Sequence, residues 1–319
     1  MDISIIIVNW NSKDYLQKCL ASVERETHGL QYEVVVIDAG SFDGCEEMLK
    51  QHFPKVKFLQ ADRNIGFVRA NNEAFKHAVA RTLLFLNPDT EITGFAINKM
   101  YDWLHTLPQA AAVGCKLLNG DGTVQTSCIQ SLPTVLNQVL DSNLFRACWR
   151  KSPLWGTAPL YRLLEEPAPV RVVSGACLMV KREAFEKVGG FSSDYFMYAE
   201  DVDLCYKIRR IGGRSFYVPD AVVIHYGGGS SDGAAGGFSS VMMRESLWRF
   251  LRKTRGSRYA GIYRLSMLVS SLVRLLLLIL LFPVQQIRRR GRSWKGSVGK
   301  WWAVLCWSLF RRRLVRRYL

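Results

Sequence analysis

The chain has 319 residues, a formal net charge of +16, and a composition that is 49% hydrophobic, 12% aromatic and 22% charged. That is too apolar for a disordered chain and long enough for one large domain or two halves sharing a core. Ten Pro and 25 Gly exclude collagen-like and low-complexity character.

The charge is unevenly placed. Residues 241–319 carry 19 Lys and Arg against one acid, Glu245, whereas residues 1–240 balance at −2. A near-neutral body is thus followed by a basic appendage, and the two need separate accounts. The eight cysteines are scattered with no CxxC, which reads as reduced thiols, not as a zinc site or disulfide framework. Met1-Asp2-Ile3 opens the chain with no basic or long apolar leader region, so no secretory signal is expected.

In chain order, residues 3–8 (ISIIIV) predict a strand buried on both faces, as in a parallel sheet. Ser12 is placed to cap a helix running to about Glu26, with Tyr15, Leu16, Cys19, Leu20 and Val23 on one stripe. VVVID at 34–38 predicts a second strand, followed by a turn and a short helix ending near Lys50. Residues 56–60 predict a third strand, Gly66 to Ala80 a helix, and 82–87 a fourth strand. The alternation implies a doubly wound sheet. Residues 111–117 predict another strand, while 118–170 show no clear period. A strand with a small-residue turn (172–180), a short helix (181–188), a helix opening on Glu200, Asp201 and Asp203, and a strand over 221–225 complete the body. Residues 227–237 contain six glycines and read as either a lid or a linker.

Doubly wound sheets bind ligands outside the carboxyl ends of their strands. Polar residues collect there: Asn9 and Asn11 after the first strand, Asp38 at the second, Asn64 and Gly66 after the third, Asn87 and Asp89 after the fourth. Asp89 is placed to hold a divalent cation, Mg2+ or Mn2+, against a phosphate-bearing ligand, although Asn-Pro-Asp is also a good turn. In Glu200-Asp201-x-Asp203 the acids complement a helix dipole, and Asp203 has Lys207, Arg209 and Arg210 as local partners. The aromatics before it, Phe191, Tyr195, Phe196 and Tyr198, are candidates to wall a site in which an Asp serves as general base. His225 reads either as a structural histidine or as a metal ligand.

The ordered set SIIIVNWN, VVVIDAGSFDG, NIGFVRANNEAF, LLFLNPDTEI, SGACLMVKREAFEKVGGF and FMYAEDVDLCYKIRRIG, followed by HYGGGS, resembles glycosyltransferase family 2 over about residues 2–250. Within that family it looks most like bacterial rhamnosyltransferases. The resemblance implies an α/β, GT-A, Rossmann-like, mostly parallel sheet flanked by helices. It implies a nucleotide-sugar-binding half (1–110), an acceptor-binding and catalytic half (111–240) and a basic helical membrane-associated tail (241–319). Asp38 resembles the acid at the nucleotide base, with Asn9 lining the same pocket, and Asn64, Gly66 and Arg69 resemble the donor-contacting segment. Asp89 resembles the last acid of an Asp-x-Asp metal element in which Asn87 stands for the first. Asp201 matches the general base, and His225 a histidine that completes the metal site in some members. Glu200, Asp203 and Tyr198 are candidates around the acceptor. The implied reaction is inverting transfer, rhamnosyl from dTDP-rhamnose being favoured, to a polyprenyl-diphosphate-linked or polysaccharide acceptor. Transfer of another hexose and an inactive membrane scaffold of the same fold are the alternatives. Oligomeric state is not legible.

Residues 262–282 are long and apolar enough for one bilayer crossing, but Arg264 and Arg274 interrupt them and basic residues flank both sides. With WWAVLCWSLF at 301–310 and RRRLVRR after it, the tail is expected to lie in the interface of an anionic cytoplasmic leaflet. Long Leu and Trp runs between the basic residues argue against nucleic acid as the partner.

Overall fold

The computed structural model describes residues 1–140, 165–227, 237–280 and 291–318. The chain runs β1 (Ile3–Asn9), α1 (Lys13–Glu26), β2 (Tyr32–Asp38), α2 (Cys45–His52), β3 (Lys57–Gln60), α3 (Phe67–Phe75), β4 (Thr82–Leu86), β5 (Thr90–Thr93), α4 (Ala96–Thr106) and β6 (Ala110–Leu118). It continues through β7 (Ile129–Gln130), α5 (Val135–Val139), β8 (Ala168–Val170), β9 (Val172–Val173), β10 (Cys177–Lys181), α6 (Arg182–Lys187), α7 (Glu200–Arg210) and β11 (Arg214–His225). The long helices α8 (Phe238–Leu280) and α9 (Gly291–Tyr318) follow.

The main sheet has the order β3-β2-β1-β4-β10-β6-β11-β5, with β8 added against β11. β1 is parallel to β2 and β4, and β11 is parallel to β6. β10 runs antiparallel between β4 and β6, so those two point the same way. The fully buried run of β1 follows from this place, because helices cover both faces. Ile3, Ile5 and Ile7 face α1, α2 and α4, while Ile6 and Val8 face α3, α6 and α7.

Several local expectations change. Ser12 does not cap α1 with its side chain; instead the amides of Ser12 and Lys13 donate to the Asp43 carboxylate at 3.0 and 2.9 Å. α3 ends at Phe75, because the next amides turn back three residues, from Lys76, His77 and Ala78 to Glu73, Ala74 and Phe75. The final body strand begins at Arg214, not 221: a register shift between Val218 and Val222, across Pro219-Asp220, hides its first half from the period-2 pattern. Phe191 and Tyr195 are core residues. Most of the glycine-rich segment, 228–236, lies outside the described residues, as do 141–164 and Arg288 to Arg290. The described cysteines are free thiols.

The tail is built into the body. Val241, Leu247, Phe250, Leu251, Tyr263, Met267 and Trp307 belong to the same core as Ile6, Phe85 and Leu204. Polar ties reinforce this. Ser246 Oγ donates to the Met197 carbonyl (2.7 Å) and Arg249 to the Asp194 carbonyl (2.6 Å). On the other side Tyr259 Oη accepts from the Val135 amide (3.1 Å). α8 breaks at Gly256 (φ 86°) and α9 at Phe310 (φ −120°, ψ 33°).

Candidate active site

Sheet topology brings the polar strand ends together. The β4 end carries Asn87, Pro88 and Asp89, and the antiparallel pair β5/β11 sets Thr90 opposite His225. Tyr226 N–H then donates to the Asp89 carbonyl at 3.0 Å. Asn87, Pro88, Asp89 and His225 face a cavity of about 210 Å³ that is also lined by Trp10, Ala39, Asn64, Phe196, Met197, Tyr198 and Phe238. The last of these is the first residue of α8, so the tail helps to wall the cavity.

The tautomer of His225 can be read from its neighbours. Gln125 donates its amide N–H to the His225 carbonyl (2.7 Å), which leaves its Oε1 2.9 Å from His225 Nδ1. Nδ1 therefore carries the proton, and the Nε2 lone pair points at Asn87 and Asp89. Asn87 Nδ2 lies 3.4 Å from Nε2, and Asp89 Oδ1 lies 3.3 Å from it. Nε2 thus accepts from the Asn87 amide, and its lone pair and the Asp89 carboxylate oxygen stand close enough to share a cation. Asn87 Oδ1, buried, has no hydrogen-bond partner among the described residues. Carboxylate, imidazole and amide oxygen form a donor set that suits Mn2+ or Mg2+, so these residues fit a divalent cation.

Asp38, at the β2 end, is completely buried. It accepts from Asn9 Nδ2 (2.9 Å), Gln60 Nε2 (2.8 Å), the amides of Ser41 (2.9 Å) and Phe42 (3.0 Å), and the Ser41 hydroxyl. Burial pushes its carboxyl up, but these donors together outweigh burial and hold it below the usual range. Asn9 also donates to Asp43, at 3.1 Å. Asp38, Asp43 and Cys45 offer donor atoms within 4.8 Å of one another. Both carboxylates, however, are taken up by amides of the chain. Burial, and then Asp43, push the Cys45 thiol far up, which disfavours the thiolate a metal needs. This cluster holds the β2 loop against β1 and α1. Asp43 and Gln60 were not picked out by sequence; the Asp-Gly turn at 43–44 was the available signal for Asp43.

Asn64 is exposed, and its Oδ1 accepts from the Gly66 amide (3.0 Å). Gly66 has φ 81°, and a Cβ there would stand 2.6 Å from the Phe196 ring. It acts by letting the 196–198 loop close over α3. Arg69 is exposed in the first turn of α3.

Asp201 sits beside the β4 end through the 174–176 turn. The Asn87 amide donates to the Ala176 carbonyl (2.9 Å), and the Gly175 amide donates to Asp201 Oδ2 (2.9 Å). Asp201 Oδ1 accepts from its neighbour Val202 (2.8 Å). Burial raises the Asp201 carboxyl despite these two amides. Burial, and then the Asp201 charge, push Glu200 to about 8. Tyr198 and Ala199, which lead into this helix, both have positive φ (67° and 59°), a conformation that costs about 1–3 kcal/mol per residue and must be held by its surroundings. Asp203 points away from the cavity into the core. It is fully buried and bonds Ser192 (2.6 Å), Tyr195 (3.3 Å) and, at 3.0 Å, Lys253 of α8. Lys207 stands 3.7 Å away, whereas the remote Lys253 is the closer cation.

Fold and site together define a glycosyltransferase of the GT-A type. The chain belongs to glycosyl transferase family 2, whose model matches residues 4–189. A second model, glycosyl transferase family group 2, matches 133–315. The chain is 32% identical over 234 residues to the N-acetylglucosaminyl-diphospho-decaprenol L-rhamnosyltransferase of Mycobacterium tuberculosis, covering 70% of this chain and 75% of that one. It is 25% identical over 229 residues to the rhamnosyltransferase WbbL of Escherichia coli, covering 70% and 82%. Among solved structures, the mannosyltransferase PcManGT of Pyrobaculum calidifontis, in complex with GDP-Man and Mn2+, aligns over 97% of this chain and 87% of its own. Its TM-score is 0.59 and its identity 17%, a likeness of fold.

Proposed function

We propose that this family 2 glycosyltransferase moves a rhamnosyl group, with inversion, from dTDP-rhamnose to a polyprenyl-diphosphate-linked glycan. The observation that carries the chemistry is the Asp89–His225 pair, 3.3 Å apart in the cavity at the carboxyl ends of the strands, with Asp201 tied to the neighbouring 174–176 turn. The choice of sugar and acceptor rests on the names of the two rhamnosyltransferase relatives. Residues 1–110 serve the donor and 111–240 the acceptor and the base. Asp38 and Asn9 shape the pocket floor for the nucleotide base, Asn64 and Gly66 position the 196–198 loop over the donor, and Arg69 reaches toward the diphosphate.

Asp201 accepts the proton of an acceptor hydroxyl. The oxygen bonds to the anomeric carbon as the bond from that carbon to the diphosphate oxygen breaks, and the nucleoside diphosphate leaves from the opposite face. Glu200 and Tyr198 flank the acceptor, and Asp203 fixes the helix that carries the base. Asn87, Asp89 and His225 would hold a divalent cation, which, when bound, supplies Lewis-acid stabilisation of the departing diphosphate. Holding two substrates in line supplies much of the remaining acceleration.

The tail places this chemistry at the cytoplasmic membrane face. α8 is the one helix among the described residues long and apolar enough to cross a membrane. Yet Arg264 donates to the carbonyls of Ser308 (2.7 Å) and Leu309 (3.2 Å), and Arg274 donates to the Val139 carbonyl (2.7 Å) and stacks on Trp301. Both arginines thus turn toward protein, leaving Leu265, Val269, Val273 and Leu276 exposed on the outside. A helix with one face on protein and one apolar face outward lies in an interface.

The test is a panel of dTDP-, UDP- and GDP-sugars with Mn2+ or Mg2+, read by thermal stabilisation and by transfer to N-acetylglucosaminyl-diphospho-polyprenol. dTDP-rhamnose is expected to stabilise most and to turn over. Stabilisation by another donor alone would reassign the sugar, and binding without turnover of any donor would favour the scaffold. A second prediction concerns Gln125. Gln125→Leu removes the partner that fixes the His225 tautomer and should weaken Mn2+ binding about 10- to 100-fold in a direct titration, with no substrate present. Unchanged affinity would remove His225 from the cation site.

A further inference from the structure

The tail carries a second cavity, of about 540 Å³, remote in composition from the first. Arg252, Arg264, Arg311, Arg312, Arg313 and Trp248 line it. It sits where both tail helices break: Ser257, next to Gly256, and Phe310 are in its wall. The breaks bring arginines from three separate stretches to one place. Trp248 serves as their platform, with the Arg311 guanidinium 3.8 Å and that of Arg252 5.4 Å from its ring centre. Arg311 also donates to Glu245 (2.7 Å), which is buried and shared with Arg249 and Trp307. The groove lining itself holds five guanidinium groups and no carboxylate, and Arg312 and Arg313 are exposed.

We infer that this groove is a seat for the phosphate headgroup of an anionic bilayer lipid. Guanidinium forks match phosphate oxygens in pairs, and a rigid platform lowers the entropy lost on binding. The occupant must also carry apolar chain, because Leu309 and Phe310 in the same wall are exposed, and the outward row Leu265, Val269, Val273 and Leu276 lies on the same hairpin. A nucleic-acid strand would set its phosphates against those side chains and leave them wet. The seat deepens the interfacial reading given above and rests on it: the apolar face supplies depth, and the groove selects charge.

The experiment uses the full-length protein with vesicles of phosphatidylcholine alone or mixed with phosphatidylglycerol, read by co-flotation. Two double variants remove equal charge: Arg312→Gln with Arg313→Gln inside the groove, and Arg258→Gln with Lys295→Gln, all exposed, outside it. The groove pair is expected to lose about 30-fold in affinity for phosphatidylglycerol vesicles, the cost of two charges at an anionic surface, while the outside pair loses much less. Both should bind neutral vesicles as the unaltered protein does. Equal losses from the two pairs would overturn the seat and leave the interfacial reading standing. Failure of the unaltered protein to bind any vesicle would overturn both. Retention of a DNA duplex, lost in the groove pair, with no preference for phosphatidylglycerol would assign the arginines to nucleic acid instead. Melting curves of the two variants check that both fold.

Discussion

Asp201→Asn is expected to reduce transfer by about 10²- to 10⁴-fold, the span over which a positioned general base contributes, while donor-induced thermal stabilisation stays near that of the unaltered protein. Asn keeps the shape, and its single oxygen can still accept from the Gly175 amide, so the turn at 174–176 that supports Asn87 should persist, while the Val202 amide loses its side-chain acceptor. What is lost is the ability to take a proton. The pH dependence carries the same assignment. A base works deprotonated, and burial raises the Asp201 carboxyl above its ordinary 3.8. Activity should therefore fall as pH drops through that raised value, so the acid limb lies higher than for a solvent-exposed Asp. Glu200 is pushed up further, to about 8, by burial and then by the Asp201 charge, so it holds its proton to higher pH than an ordinary carboxylate. Donor binding is measured apart from turnover because the residues proposed for the cation and the nucleotide belong to other elements. Full activity in the Asn variant would move the base elsewhere, with Glu200 the next carboxylate in line.

What the sequence revealed and what it hid divide along one line. The parallel half was legible because each buried strand is a continuous apolar run and each helix carries its own stripe, both local signals. The strand-end residues Asn9, Asp38, Asn87 and Asp89 followed from that topology alone. The contacts around those residues are long-range. Gln125 and His225 are 100 residues apart, and Gln125 stands in a stretch with no period. Asp203 had cationic neighbours at helical spacing, yet its closer partner is Lys253, 50 residues on. No periodicity encodes such pairs; they appear only when β10 is inserted antiparallel and the sheet closes over α7 and α8. The tail misled for a related reason. Its charge and its leucines describe the outer face, whereas Leu247, Phe250 and Trp307, which share the body's core, have the same residue types as a membrane face.

Truncation after Gly237 is expected to leave a chain that does not fold, instead of a soluble catalytic domain freed from its anchor. Burying one Leu, Phe or Met side chain contributes about 1.5–3 kcal/mol. The cut strips several such residues from one core, against a net stability of about 5–15 kcal/mol for a typical domain. It also takes Lys253, an exposed cation, from the fully buried Asp203, leaving that carboxylate with Lys207 at 3.7 Å and the hydroxyls of Ser192 and Tyr195. Ser246 and Arg249 go with it, and they hold the carbonyls of Met197 and Asp194 in the segment that keeps Tyr198 and Ala199 at positive φ ahead of Asp201. Tyr206 loses the edge-to-face contact with Phe250 that packs α7 against α8. The measurement is soluble yield, near-ultraviolet circular dichroism and donor-induced stabilisation of the truncated chain in detergent. A cooperative melt with undiminished transfer to a water-soluble acceptor would make the tail a detachable anchor. Aggregation, or a compact state without fixed aromatic signals, would mean that membrane attachment and the geometry of the base are parts of one structural unit, so that whatever moves the tail on a lipid surface also moves the segment carrying Asp201.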